Sequence, residues 1–234
     1  MIKTFLAKDY PHTGNKFSGP DKLELYNKNL LSQSVDWYYR NNSITYTVNS
    51  QGYRCPEFDK IDWANSIVIL GCSYVYGIGI DDSNTIDKEL SKLTNCPVIN
   101  LGAGGTSIEF SLYNSIILRK LYPKPKAIVQ IWTGINRYTI FNNDNKTMNQ
   151  GSWNFTIDDK YNTNINLSMH GYLNTIASKQ IYRDTTYYTA SYFTETCDII
   201  NCDSLHVIDY ARDLLHPGIE TNKQTAIKIY ENIK

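Results

Sequence analysis

The sequence predicts an α/β fold, a three-layer α/β/α sandwich built on a central, mainly parallel sheet. Three runs of residues predict it. Ile67-Val68-Ile69-Leu70 is β-branched and aliphatic without polar alternation, the pattern of a strand buried on both faces. Residues 97–101 and Ala127–Trp132 read the same way, and each run stops at a turn containing glycine. Apolar residues at helical spacing follow the first two: Ile86, Leu90 and Leu93, then Ile108, Leu112, Ile116 and Ile117. Strand, glycine turn and helix in repetition require crossover helices packed against a parallel sheet.

Ahead of this core, residues 1–64 lack clean periodicity and read as an N-terminal extension packed on the domain of residues 65–234. Within it, residues 22–34 suit a short helix and residues 43–48 alternate like an edge strand. The turn from Asn49 to Glu57 carries Arg54, which either points into a site or pairs at the surface with a carboxylate such as Glu57, the commoner fate. Past the third strand, a segment at about 142–170 is rich in Asn, Asp and Thr and carries Trp153, Phe155 and Tyr161, as a substrate loop would. Residues 171–196 are helical in character, although Thr185-Thr186-Tyr187-Tyr188-Thr189 suits a strand equally well. A last short strand is expected at residues 205–208, and a C-terminal helix that buries Ala226, Ile229, Tyr230 and Ile233.

Composition excludes several classes of function. A chain of 234 residues supports one sizeable core. With 23 basic and 23 acidic residues, no net field selects nucleic acid, an anionic membrane or a polyacidic partner. The start lacks the apolar core of a signal peptide and no run is long enough to span a bilayer, so a cytoplasmic or virion-associated location is expected. Five cysteines, an odd number without CxxC spacing, suit free thiols and not a zinc site. The 19 tyrosines and 4 tryptophans suit a cleft for sugars or other amphipathic ligands, although most must serve the core and the surface. The sequence sets no oligomeric state.

The candidate chemistry lies in the turns. Ser73 stands where open α/β sheets bind ligands, at the carboxyl end of a central strand, and is either a nucleophile or a helix cap. Near the other end of the chain, Asp213 and His216 lie three residues apart, which lets the carboxylate hold the imidazole in one tautomer. Pro217 restricts His216 to extended backbone. On its own, Asp-x-x-His reads more simply as a cap with a surface histidine.

Taken in order, Gly71-x-Ser73-(x)3-Gly77, Asn100-x-Gly102-x-x-Gly105, Gly134-x-Asn136 and Asp213-x-x-His216 resemble the four blocks of the SGNH (GDSL-like) hydrolases, from about Asn49 to the C-terminus. The resemblance implies a flavodoxin-like layered fold and a serine esterase working through an acyl-enzyme, with no metal or cofactor. Ser73 would be the nucleophile, His216 the base and then the acid, and Asp213 the orienting carboxylate. The oxyanion hole would come from the backbone N–H groups of Ser73 and Gly105 and the Asn136 amide. The expected partner is a small-molecule or glycan ester, O-acetyl groups on carbohydrate first. The alternatives are a lipase or thioesterase for longer acyl chains, or a silent carbohydrate-binding or virion-structural module.

Two departures from the pattern stand out. Cys72 occupies the place usually held by Asp, so the turn bonding must differ there. Residues 171–203 are irregular where the family has helix, strand and helix, so one sheet strand is expected to be reduced or missing.

Overall fold

The computed structural model describes Phe5, Gly14 and residues 16–141, 147–150 and 164–234. The chain forms α1 (Leu23–Ser32) and α2 (Tyr38–Asn41) before entering the sheet with β1 (Ile67–Gly71). A short α3 (Ser73–Tyr76) and α4 (Ile86–Thr94) lead to β2 (Val98–Gly102), and α5 (Ile108–Leu121) leads to β3 (Ala127–Trp132). The strands β4 (Tyr138–Phe141) and β5 (Thr147–Gln150) pair as an antiparallel hairpin. There follow α6 (Asn164–Ile181), β6 (Thr186–Ser191), α7 (Thr194–Ile200), β7 (Asp203–Ser204) and α8 (Ile219–Ile233).

The main sheet is five-stranded in the order β2-β1-β3-β6-β7, with every pairing parallel. Helices cover both faces, which makes the architecture a three-layer α/β/α sandwich. Alternation along β1 distributes its side chains between the layers. Val68 and Leu70 pack with Phe110, Ile117 and Leu118 of α5, while Ile67 and Ile69 pack with Leu90 of α4 and Ala226 and Ile229 of α8. Each such side chain contributes roughly 1.5–3 kcal/mol by leaving water, which is why a run without polar residues is stable only between two layers. The chain leaves β1 for β2 on one side and then crosses to β3 on the other. The strand order therefore reverses at the carboxyl end of β1, the place where open parallel sheets bind ligands.

Several elements differ from the sequence expectations. No strand is missing. Thr186–Ser191 pairs along its full length with Ala127–Trp132, and only β7 is reduced, to two residues. That last strand falls at Asp203–Ser204, ahead of the expected residues 205–208; Leu205 N still donates to Ser191 O at 2.7 Å, and the Leu205 side chain packs in the core with Ala226 and Ile229 of α8. Residues 43–48 form no strand, although Ile44 and Tyr46 do alternate inward into a separate cluster with Tyr76, Ile78 and Ile80. On α5 the buried face runs through Phe110, Asn114 and Leu118, while Ile116 is exposed. Leu93 of α4 is exposed as well. The polar segment expected at about 142–170, with Trp153, Phe155 and Tyr161, lies largely outside the described residues. No helix among the described residues is long and apolar enough to cross a membrane.

A buried polar relay joins β2 to α3 and α4. The Asn100 amide donates to Val75 O at 2.8 Å and to Asp87 Oδ1 at 2.7 Å, and its own oxygen accepts from Gly102 N at 2.9 Å. Burial pushes the Asp87 carboxyl above its usual range, against the opposing pull of Lys88, Asn100 and Thr85. With the folded pKa raised, the unfolded chain ionises first as pH rises, so this group's contribution to stability is greatest in acid and is lost above the unfolded value of about 3.9. Asp87→Asn keeps an acceptor for Asn100 and removes the ionisation. Its melting temperature is expected to exceed that of wild type near neutral pH, with the difference closing below about pH 4. A gap independent of pH would show that the carboxylate is not responsible.

Candidate active site

Ser73 is the first residue of α3, directly beyond β1, and is only 8% exposed. Cys72, the residue before it, is buried and supplies no side-chain cap, so the helix begins on backbone geometry alone. Close packing fixes α3. A Cβ on Gly71 would collide with the Val75 side chain of α3, and one on Gly102 would stand 2.5 Å from Tyr76 N. The bare backbones of both strand ends are therefore what let α3 sit between them.

The far end of α3 is held by Arg54. Its guanidinium donates to the carbonyls of Tyr76 at 3.2 Å, Gly77 at 2.7 Å and Ile80 at 3.0 Å, and it pairs with Asp82. They lie at the end of α3 and in the turn that follows it, where helical hydrogen bonding stops. The surface pairing with Glu57 expected from the sequence does not form. Glu57 instead accepts from Ser50, and Arg54 is buried beneath the helix.

Asp213 and His216 meet in a tight turn between β7 and α8. His216 Nδ1 lies 2.6 Å from Asp213 Oδ2, while Oδ1 accepts the backbone N–H groups of Leu215 at 3.0 Å and His216 at 3.1 Å. Asp213 is 1% exposed and His216 9%. A carboxylate accepting from the imidazole favours the proton on Nδ1, which leaves Nε2 with a free lone pair to accept. Leu214 adopts left-handed backbone at φ +57°, a conformation that costs a branched residue energy and persists only where the surroundings enforce it. Ala211 N donating to His216 O at 2.8 Å and Gly218 N donating to Asp209 O at 2.8 Å close the turn.

The three expected oxyanion donors occupy neighbouring turns after β1, β2 and β3. Gly105 has φ +65°, where a Cβ would be strained, so its backbone can present an N–H that other residues could not. Asn136 is half-buried in the turn closed by Arg137 N donating to Gly134 O at 3.1 Å. Among the described residues, neither the N–H groups of Ser73 and Gly105 nor the Asn136 amide is engaged in a hydrogen bond.

Tyr74 links the two halves of the site. Its ring packs edge-on against His216 with centroids 5.4 Å apart, edge-on against Tyr192 at 5.1 Å and face-on against Phe193 at 5.6 Å. Arg137 in turn lies 5.2 Å over Phe193. Burial raises the Tyr74 phenol above its ordinary range, so the ring serves as a neutral wall. The structure thus joins Asp213 to His216 directly and sets His216 against the residue that follows Ser73. No hydrogen bond between Ser73 Oγ and His216 occurs among the described residues. Such bonds are often loose before substrate binds and tighten in the complex. Sequence reasoning missed Tyr74 and Arg212, and it gave Asn100 a place in a motif without a partner, because an aromatic, an amide or an arginine carries no further signal until its partners are known.

No family model and no curated protein matches the chain by sequence. Solved structures do. A family two carbohydrate esterase from Clostridium thermocellum is similar with a TM-score of 0.46 at 14% identity, over 73% of this chain and 63% of that one. An acetyl xylan esterase from the rumen bacterium Butyrivibrio proteoclasticus has a TM-score of 0.45 at 11% identity, over 81% and 66%. A member of the lipolytic G-D-S-L family from Veillonella parvula has a TM-score of 0.44 at 12% identity, over 71% and 96%. With identities and scores this low, the reading of the site rests on its own residues.

Proposed function

We propose that this chain is a serine esterase of the SGNH type that hydrolyses small acyl esters, with O-acetyl groups on carbohydrate as the first candidate substrate. The observation that carries the reading is the 2.6 Å contact of His216 Nδ1 with Asp213, in a buried turn whose imidazole packs on the residue next to Ser73. In the proposed reaction His216 Nε2 takes the Ser73 proton as Oγ attacks the acyl carbon. The N–H groups of Ser73 and Gly105 and the Asn136 amide receive the developing oxyanion. His216 then returns the proton to the departing alcohol, and water attacks the acyl-enzyme by the same route in reverse. The aromatic surround of Tyr74, Tyr192 and Phe193, with Arg137 beside it, suits a sugar ring carrying the ester.

Release of acetate from acetylated glycans by wild type and not by Ser73→Ala is the expected result, and no turnover of any acetyl ester would overturn the reading. An acyl-length series of p-nitrophenyl esters tests the acyl group, with rates expected to fall as the chain lengthens. Asn136→Ala is expected to lower kcat by about 10²–10³-fold, the usual loss for one oxyanion donor. Retention of the full rate would exclude its amide from the oxyanion hole. The missing Ser73–His216 hydrogen bond favours a second reading, a binding module that keeps the fold without the chemistry. A fluorophosphonate probe separates the two, because only an activated Ser73 is labelled.

A further inference from the structure

We propose that Asp21 is a positioning residue whose carboxylate sets the distance between the turn carrying Ser73 and the turn carrying His216. The proposal rests on the reading of these two as the reacting pair.

Asp21 lies far outside the four motif blocks, yet it is 1% exposed and joins both halves of the site. On one side its carboxylate pairs with Arg212, the neighbour of Asp213, through Nε to Oδ1 at 3.0 Å and Nη2 to Oδ2 at 2.7 Å. On the other side Oδ2 accepts from the Tyr46 hydroxyl at 2.7 Å, and that hydroxyl accepts from Gly79 N at 2.7 Å. Gly79 follows α3 closely. Its own carbonyl accepts from Arg212 N at 3.2 Å, so the two turns already touch there.

The surrounding contacts point the same way. Asn29 of α1 donates to Arg212 O at 2.9 Å, Lys16 O accepts from the guanidinium, and the Phe17 ring lies 4.4 Å beneath it. An N-terminal segment therefore encloses Arg212 completely. A planar, bidentate arginine pair fixes direction as well as distance, which a lysine or a purely apolar contact would not. A buried ion pair is weak evidence for stability, because hydrophobic replacement is often as stable; specificity of placement is the better account of it.

The expected loss follows from geometry. A misplacement of about 1 Å between reacting groups can cost about 10²-fold in rate without weakening binding. Tyr46→Phe cuts the link between Asp21 and Gly79 and leaves the Arg212 pair intact, and Asp21→Asn weakens both. Two readouts decide the matter: kcat and KM on p-nitrophenyl acetate, and the nuclear Overhauser contact between the Tyr74 and His216 rings in the free protein. Folded Tyr46→Phe is expected to lose about tenfold in kcat with KM within about twofold, and Asp21→Asn about 10²-fold, each with a weakened ring contact.

An unchanged kcat, a change confined to KM, or an undiminished ring contact would overturn the proposal. Should Asp21→Asn fail to fold, Tyr46→Phe decides alone. Should wild type turn over no ester, the esterase reading fails by itself and the ring contact still decides whether Asp21 sets the spacing.

Discussion

Asp213→Asn is expected to lower kcat by about 10⁴-fold while the protein stays folded. The two carboxylate oxygens have different duties. Oδ1 accepts two backbone N–H groups, from Leu215 and His216, and Oδ2 receives the imidazole Nδ1 at 2.6 Å. An asparagine must keep its oxygen on the backbone donors, which turns its NH₂ toward His216. The imidazole is then forced to accept at Nδ1 and to carry its proton on Nε2, where it can no longer take one from Ser73. The turn itself survives, because its backbone hydrogen bonds do. Measuring kcat together with the melting temperature separates this from unfolding. A variant that is folded and fully active would remove Asp213 from the mechanism. Ser73→Ala should fall at least as far and lose fluorophosphonate labelling.

Gly102→Ala is expected to cost on the order of 3 kcal/mol of stability and to abolish activity in whatever remains folded. The added Cβ would stand 2.5 Å from Tyr76 N, 2.7 Å from Val75 Cγ1 and 2.8 Å from Val75 C. Two of those three atoms are backbone of α3, so relief requires the whole helix to move, and Ser73 with it. Gly134→Ala provides the control, since its nearest neighbour would be Asn136 Oδ1 at 3.4 Å, an ordinary contact. Chemical denaturation of both variants tests the contrast. Equal midpoints would show that the approach of α3 to β2 is not the constraint described.

The sheet was legible where burial leaves a pattern. Ile67-Val68-Ile69-Leu70 has no reading compatible with exposure, so β1 and its neighbours followed from composition alone. Strand β6 was ambiguous because Tyr187 and Tyr188 are shielded by contacts, such as Tyr188 OH donating to Asp203 at 2.9 Å, that a hydropathy pattern does not register. In the site, Asp213 and His216 were visible because their partnership is local. Arg54 was misread for the opposite reason. A nearby carboxylate, Glu57, was the obvious partner in sequence, whereas the actual one, Asp82, lies 28 residues away beside the carbonyls of a helix end. Asp21 gave no signal at all, because a single acidic residue in an irregular segment resembles any solvated one.

The Asp21–Arg212 pair also bears on how the molecule comes to be made. Its two members are 191 residues apart, and the Asn29–Arg212 contact spans 183. A nascent chain emerges with its first helix long before the residues that hold it, and closing so large a loop is deferred until most of the sheet exists. The contacts that join the two turns of the site are therefore expected to form late in folding. Until these distant segments meet, the turn carrying Ser73 and the turn carrying His216 lack the tie through Asp21, so in refolding the proposed esterase activity is expected to lag behind formation of the sheet.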